Sequence, residues 1–429
     1  MKNIISLLTI SSIMALSANA EEFTAISSGN WTNPDTWENG SVPTNDGSVI
    51  FNNGITVDVT TAVTVAESPW KDHYATLNIT GEDASLTYTG TFTMFGNTRM
   101  EFNVSDGATF DVAKFNWGTG GYSNFNITNG GILNTTFEQF SGSVEGSTIN
   151  VDNGTILMKS QWNVGATVDN QKVNVVVSGA NAVMKASKEG GRETLRINAT
   201  GTSEASVTFS NGASANIYDL NIGNFYSNSG KNSLTIYGTG TNVKAQSINV
   251  GKVGETVESY IQFGGFDAEN NFIAADAGSL SNGWEVKIAE NGKLKFLLGA
   301  ENAFQKDTLE NADKSKAIFQ GQYVKSMQAN AVELDFSNVT GLEDGDYWFA
   351  ILSSTQSIEG TNNTFNNVAW DWDRIIKIAN TGDMVYNGYQ ILNNTLFVNM
   401  SMVNVPEPST YAMIFGALAL AFAAYRRRK

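Results

Sequence analysis

A short apolar strand followed by a polar turn with glycine recurs seven times, and this repeat restricts the fold more than any other feature. The start-to-start intervals are 25, 23, 24, 26, 32 and 27 residues. The copies read LNITG at Leu77, FNVSDG at Phe102, FNITNG at Phe125, INVDNG at Ile149, VVVSG at Val175, VTFSNG at Val207 and LTIYGTG at Leu234. A period in the twenties built from strands and turns is typical of stacked repeat proteins.

A second element keeps a nearly constant distance from the start of the repeat. A glycine follows the start by 16 or 17 residues, and it often closes an Asn-apolar-Gly triplet. These glycines are Gly118, Gly142, Gly165, Gly223 and Gly251. Two elements in the same phase indicate that each repeat is one layer with at least two strands.

We therefore predict an all-β chain containing a parallel β-solenoid, similar to a right-handed β-helix, of about seven coils. Alternating residues such as Leu77 and Ile79 would point inward and stack in ladders. Asparagine and glycine would form the corners, where a positive φ is needed, and stacked asparagines would hydrogen-bond between coils. Layers about 4.8 Å apart would give a rod roughly 30–35 Å long. The alternative is a β-sandwich with evenly spaced strands.

Composition agrees with a strand-rich chain and limits its partners. None of the five prolines lies between Pro69 and Pro406, so backbone N–H groups are free to join neighbouring strands there. The chain has no cysteine, and its stability must come from burial and hydrogen bonds. The net charge of −16 argues against nucleic acid as a partner.

The sequence divides into five predicted regions: a signal peptide at 1–20, an N-terminal cap at 21–70, repeats at 71–280, a β-rich unit at 281–402 and a tail at 403–429. Trp31 and Trp37 would cover the open end of the first coil; the alternative is a glycan-stacking pair. The stretch from residue 24 to 65, with Gly29-Asn30-Trp31, Trp37 and Val49-Ile50-Phe51, resembles the opening of autotransporter-type β-strand repeat proteins. The β-rich unit is predicted to contain one helix, Glu301–Val324, and strands at 331–336, 346–352 and 389–402.

The sequence does not predict an enzyme, a cofactor or a metal site. His73 is the only histidine, and the acids of the repeats do not recur at one phase of consecutive coils. The segment Trp370-Asp371-Trp372-Asp373 is explained equally well by a calcium or sugar contact and by a half-buried strand with outward acids. A polysaccharide lyase or glycoside hydrolase is the less favoured alternative, since both need charged groups converging on one face.

Both ends of the chain carry export features. Ala18 and Ala20 fit the small-residue rule for signal-peptidase cleavage. At the other end, Pro406-Glu407-Pro408 precedes an apolar run, 412–424, and a basic terminus. A helix of that run would be about 20 Å long, short for a hydrocarbon core of about 30 Å. The predicted anchor residues are Ala412, Met413, Ile414, Phe415, Leu418, Leu420 and Phe422, and the basic stop is Arg426, Arg427, Arg428 and Lys429.

This tail resembles the sorting signal of the PEP-CTERM family. The resemblance implies a Gram-negative bacterium, recognition by an exosortase-type processing enzyme, and an exported protein held transiently in the membrane by its C-terminal helix. It also implies an association with extracellular polymer.

The leading functional hypothesis is a non-enzymatic structural or adhesive protein of the cell surface or extracellular matrix, with exopolysaccharide or another glycan as partner. The alternative is a carbohydrate-binding module. In that case Trp117, Trp162 and Tyr237 would be the aromatic contacts to sugar.

Overall fold

The structure, a computed structural model, describes most of the chain after residue 20. The described residues are 21–45, 47–66, 68–71, 74–95, 98–117, 122–140, 146–165, 169–224, 230–310, 313–354, 371–402, 413, 415–420 and 425–426. The predicted signal-peptidase site, Pro406-Glu407-Pro408 and His73 lie outside these residues.

One large sheet, called here the first sheet, contains 13 strands, and all of its pairings are parallel. Seven of its strands carry the predicted repeats, and the sheet extends beyond them at both ends. The strands, in spatial order, are Gly29–Asn30, Ile55–Val59, Tyr74–Thr80, Arg99–Ser105, Tyr122–Thr128, Ser147–Asp152, Lys172–Ser178, Glu204–Ser210, Lys231–Tyr237, Ser259–Phe263, Gly292–Gly299, Val332–Asn338 and Ile376–Asn380.

A second large sheet, called the second sheet, is formed by the strands that alternate with these along the chain. Its strands pair in parallel through most of its length and become antiparallel at the C-terminal end. The strands are Ala62–Val65, Ser68–Lys71, Ser85–Phe95, Thr109–Trp117, Ile132–Phe140, Thr155–Val164, Val183–Ala186, Thr194–Ile197, Ser214–Ile222, Asn242–Val250, Leu280–Ile288, Ala303–Lys306, Phe319–Gly321, Tyr323–Ser326, Gly345–Ser354, Met384–Leu392 and Thr395–Met402.

The remaining elements are short. Glu22–Ala25 pairs in parallel with Ser48–Phe51, and Gly265–Phe266 forms an antiparallel hairpin with Phe272–Ile273. A single α-helical turn spans Trp372–Ile375. The 3-10 turns are Pro34–Thr36, Glu38–Gly40, Ala300–Asn302 and Lys314–Lys316. The prediction of an all-β chain with large parallel sheets is confirmed.

The register of the first sheet matches the sequence repeat. Leu77 pairs with Phe102, Phe102 with Phe125, and Phe125 with Ile149. The same ladder continues through Val175, Val207 and Leu234, and every member is buried. Each repeat therefore places its first apolar residue directly over that of the repeat before it, as the sequence predicts.

Aromatic rings fill the space between the two sheets in the early repeats. Phe102 and Phe125 stack with ring centroids 4.5 Å apart and planes 13° from parallel. From the second sheet, Phe115 lies edge-on to Phe125 at 5.5 Å and stacks on Phe137 at 5.1 Å. These rings belong to one cluster of buried residues that extends from Phe23 to Met402.

The corners of the stack need residues that tolerate a positive φ. Asp106, Asn129 and Asn211 have φ of 56°, 49° and 55°, and each precedes a glycine that is also left-handed. Asparagine and aspartate adopt this region more readily than other non-glycine residues. The predicted use of Asn and Gly at the corners is confirmed.

Gly131 is required for a different reason, which is close approach between layers. A Cβ added there would lie 2.2 Å from the carbonyl oxygen of Val104 in the preceding repeat. We expect Gly131→Ala to destabilise the fold by about 1–3 kcal/mol, because the backbone must shift to admit the methyl group. Urea unfolding followed by circular dichroism measures the change.

Gly321→Ala is the matched control for this substitution. Gly321 is also buried, but the nearest atoms to its added Cβ are 3.5 Å away, an ordinary contact distance. Equal destabilisation by the two substitutions would contradict the steric argument.

The N-terminal end of the stack is covered by the two predicted tryptophans. Trp31 and Trp37 are each 1% exposed, and their rings meet edge-to-face at 4.9 Å. Trp37 Nε1 donates a hydrogen bond of 2.7 Å to the Trp31 carbonyl oxygen, and both rings lie 6.2 Å from Phe51. They therefore pack as a buried plug, and the alternative of a glycan-stacking pair is wrong because neither ring is accessible.

Parallel pairing does not stop at the predicted boundary after residue 280. The first sheet continues through Gly292–Gly299, Val332–Asn338 and Ile376–Asn380. The domain division itself stays a prediction.

Two local predictions in the C-terminal region are wrong. The predicted helix Glu301–Val324 is instead a series of short strands and 3-10 turns, because its residues pair with distant strands such as Gly345–Ser354. For residues 370–373, the interpretation as a strand is wrong at Trp372 and Asp373, which lie in the helical turn Trp372–Ile375 capped by Asp371, and Trp370 lies outside the described residues.

The tail is described only in part. Residues 413, 415–420 and 425–426 are helical, and the side chains of Met413, Phe415, Leu418 and Leu420 are exposed. Among the described residues, no helix combines the length and the apolar character needed to cross a membrane.

Candidate functional site

The outward face of the first sheet carries an asparagine ladder, formed by Asp58, Asn78, Asn103, Asn126 and Asn150. Each amide Nδ2 donates to the side-chain oxygen of the residue one layer earlier, at 2.7, 2.9, 2.8 and 3.3 Å in order. Asp58 ends the ladder, since its carboxylate only accepts. The predicted hydrogen bonding of asparagines between layers is confirmed, although the ladder follows the strand face and not the corners.

Further along the same face, charged side chains pair with each other between layers. Glu204 lies between Lys172 and Lys231, with N–O distances of 3.8 and 2.9 Å. The hydrogen bond from Lys231 holds the pKa of Glu204 below its ordinary value. Many of the polar groups on this face therefore already bond to one another.

The second sheet has a different surface, because one of its layers is interrupted. Strands Val183–Ala186 and Thr194–Ile197 both pair with Thr155–Val164 on one side and Ser214–Ile222 on the other. Residues 187–193 between them therefore leave the layer. They form one wall of a cleft of about 600 Å³. The residues lining this basic cleft include Lys185, Lys188, Glu189, Arg192, Tyr218 and Gln246.

Cations outnumber acids in the basic cleft. Lys185, Lys188 and Arg192 are exposed, and Glu189 is the one carboxylate among the lining residues. The Arg192 guanidinium carbon lies 5.2 Å from the ring centroid of Tyr218, a cation–π distance. In a chain of net charge −16, this local excess of positive charge favours an anionic ligand.

The loop has a defined attachment to the sheet. The carbonyl oxygen of Glu193 accepts a hydrogen bond of 3.1 Å from the Tyr218 backbone N–H. The Glu193 side chain is buried beneath Gly191 and is not among the residues lining the cleft. Glu193, the acidic residue next to Arg192 in the chain, is therefore not part of the cleft surface.

Of the three predicted glycan contacts, the structure describes the side chains of Trp162 and Tyr237, which lie in different sheets. Trp162 is fully buried, and its Nε1 donates to the Thr135 carbonyl oxygen at 2.9 Å. Its prediction as a sugar-stacking residue is wrong, because no ring face is accessible. Tyr237 is half-buried against Gly265, at the end of a first-sheet strand. The side chain of Trp117 lies outside the described residues.

Sequence reasoning missed the basic cleft, although a signal for it was present. The interval from Val175 to Val207 is 32 residues, against 23 to 27 for the other repeats. The additional residues include Lys185-Ala-Ser-Lys188-Glu-Gly-Gly-Arg192, the segment that forms the wall of the cleft.

No metal site is evident in the part of the chain that the structure describes. No three His, Cys, Asp or Glu residues there lie close enough together to hold a metal ion.

The body is thus an all-β protein of stacked parallel strands with polar outward faces. The C-terminal tail matches a known sorting signal: residues 404–429 match the PEP-CTERM protein-sorting motif. No curated protein and no solved structure matches the chain. The motif indicates a protein that is exported, sorted to the cell surface and processed by an exosortase.

Proposed function

We propose that this chain is a non-enzymatic structural or adhesive protein of the cell surface or extracellular matrix. The proposal is supported mainly by the first sheet, whose strands pair continuously from Gly29 to Asn380. The same chain ends in a surface-sorting tail. An elongated stack exposes much polar strand surface, which suits weak contacts repeated along a polymer.

We take the body to be a β-solenoid rod. Successive strands alternate between the two sheets, and the pairing within each sheet is mostly parallel. A β-sandwich, the alternative, is built mainly from antiparallel pairs. The resemblance of residues 24–65 to autotransporter-type repeat proteins supports the same architecture.

Attachment of the tail to the membrane is also part of the proposal. The run 412–424 is apolar, and the basic terminus would remain on the cytoplasmic side. Because a helix of 13 residues is shorter than the hydrocarbon core, it would hold the protein weakly until processing.

The proposed partner is exopolysaccharide or another glycan. The basic cleft favours the related alternative of a dedicated carbohydrate-binding module, because it adds a concave site to the polar strand faces.

The sorting experiment replaces Pro406, Glu407 and Pro408 with alanine in the full chain, expressed in a Gram-negative bacterium that carries an exosortase. We expect the surface-exposed fraction to fall to background, while Ser409→Ala with Thr410→Ala remains at the wild-type level. Surface proteolysis of intact cells measures the fraction, and unchanged exposure of the triple variant would contradict the proposed route.

The non-enzymatic part has its own test. The purified protein is incubated with a panel of acidic and neutral polysaccharides, and sugar ends are assayed. Release of unsaturated or reducing ends would show a lyase or a hydrolase and overturn this part of the proposal.

A further inference from the structure

We propose that the basic cleft binds a carboxylate-bearing polysaccharide, which continues from Arg192 along the outer surface of the second sheet to Trp284. The inference rests on the proposed glycan partner and specifies its chemical class and its site.

The polysaccharide would follow a row of residues at matching positions in successive layers, called here the strip: Arg192, Tyr218, Gln246 and Trp284. The loop 187–193 is inserted opposite Tyr218, and the register of the next pair of strands places Tyr218 opposite Gln246. In the layer after that, Gln246 opposes two residues, Gly283 and Trp284, which form a β-bulge. Arg192, Tyr218, Gln246 and Trp284 therefore follow one another along the stack.

The bulge holds Trp284 outward. The Asn282 Nδ2 donates to the carbonyl oxygens of Gln246 and Glu285, at 2.5 and 3.1 Å, and so fixes the backbone on both sides of the bulge. Trp284 is 56% exposed, although most large aromatic side chains of the body are buried. An indole held in solvent by a hydrogen-bonded bulge is available to stack on a ligand.

The four positions offer the groups that an acidic sugar chain needs. The rings of Tyr218 and Trp284 can pack against the apolar C–H face of a pyranose, and the Gln246 amide can bond to hydroxyl groups. Lys188 and Arg192 supply charge-assisted hydrogen bonds to carboxylates. Layers repeat about every 4.8 Å, a spacing comparable to the length of one sugar unit.

Positive charge continues beyond the basic cleft. Lys185, Asn216 and Lys244 occupy one outward position in three consecutive layers. Beside Trp284, Glu285 is neutralised by Lys287 and Lys325, with N–O distances of 2.5 and 3.2 Å. The strip thus has an excess of cations from the loop to the bulge.

The same features disfavour a polynucleotide. A stacked nucleic-acid strand carries one phosphate charge per about 3.4 Å, a denser charge than one carboxylate per sugar unit, and the net charge of −16 repels it more strongly. The layer spacing of about 4.8 Å also exceeds the stacking distance of bases, about 3.4 Å.

The test uses the full chain and three purified probes: polygalacturonate, dextran and single-stranded poly(dT). We expect wild-type protein to bind polygalacturonate more tightly than either of the others in isothermal titration calorimetry. Lys188→Glu with Arg192→Glu should weaken that binding at least about tenfold, because two attractions become repulsions. Trp284→Ala should weaken it about tenfold through loss of stacking.

The matched control is Arg99→Glu with Lys172→Glu, which makes the same change in net charge at two exposed cations on the outward face of the first sheet. It should remain within about twofold of wild type, because distant exposed charges are screened. Circular dichroism spectra confirm that each variant is folded.

Three results would overturn the inference: wild-type binding to polygalacturonate that is absent or no tighter than to dextran, tighter binding to poly(dT), or equal effects of the strip and control variants. None of these removes the proposed surface role, which fails separately if the protein cleaves polysaccharide or does not reach the surface.

Discussion

Replacing Phe125 with alanine is expected to lower the free energy of unfolding by about 3–5 kcal/mol. Phe125 is fully buried and stacks on Phe102 at 4.5 Å. It also contacts rings of the second sheet, Phe115 and Phe137, at 5.5 and 6.1 Å. Its loss would leave a cavity in the middle of the stack, where layers on both sides restrict collapse. Urea unfolding followed by circular dichroism measures the effect.

Phe266→Ala is the control for this prediction. Phe266 is 45% exposed on the short hairpin and contacts one ring, Phe272, at 5.7 Å. Its removal should cost less than about 1 kcal/mol, since little apolar area leaves the core. If both substitutions cost the same, the aromatic ladder would not be the stabilising feature that its packing indicates.

Trp37→Ala is expected to have a similar total cost, about 3–5 kcal/mol, but a different distribution along the chain. Trp37 and Trp31 cover the end of the stack, and the Trp37 indole N–H bonds to the Trp31 carbonyl. In a stack, each layer depends mainly on its neighbours, so loss of the end cover should unfold the first layers before the others. Hydrogen exchange should accelerate over residues 21–59 well before the middle repeats.

Ile26→Ala serves as the matched change in the same region. Ile26 is 49% exposed, and its truncation should leave exchange near the wild-type rate. Uniform acceleration along the whole chain in Trp37→Ala would mean that the body unfolds as one unit, contrary to the layered model of stability.

The sequence predicts the centre of the fold well, for a physical reason. In repeats such as FNVSDG and FNITNG, one short motif contains the inward residues, the outward asparagine and the left-handed turn. Its spacing therefore predicts the register, and Phe102 does lie over Phe125. Beyond Leu234 the sequence separation between paired residues of neighbouring first-sheet strands increases. It reaches 44 residues between Glu333 and Lys377. The period is lost there, although the pairing persists.

Local composition was misleading where long-range pairing decides the structure. Residues 301–324 are rich in helix-forming Ala, Lys, Glu and Gln, yet Phe319 pairs with Leu352 and Ala303 with Phe349. Helix propensity is a weak preference that such pairing overrides.

The candidate site was harder to predict than the fold. Trp162 shares its strand face with Met158 and Val164, both buried, so alternation alone would have placed it in the core. The basic cleft needs residues from three different layers. Arg192, Tyr218 and Gln246 meet only once the register is known, and the long interval after Val175 indicates an insertion but not its chemistry.

The reversal of strand direction at the C-terminal end has a consequence for assembly. Met384–Leu392 and Thr395–Met402 pair antiparallel, and Thr395–Met402 in turn pairs antiparallel with Gly345–Ser354. A second copy adding its parallel layers to this edge would meet a different hydrogen-bond pattern. With Trp31 and Trp37 packed at the opposite end, we expect a second copy to extend the second sheet poorly, so that the length of this sheet is set within a single chain.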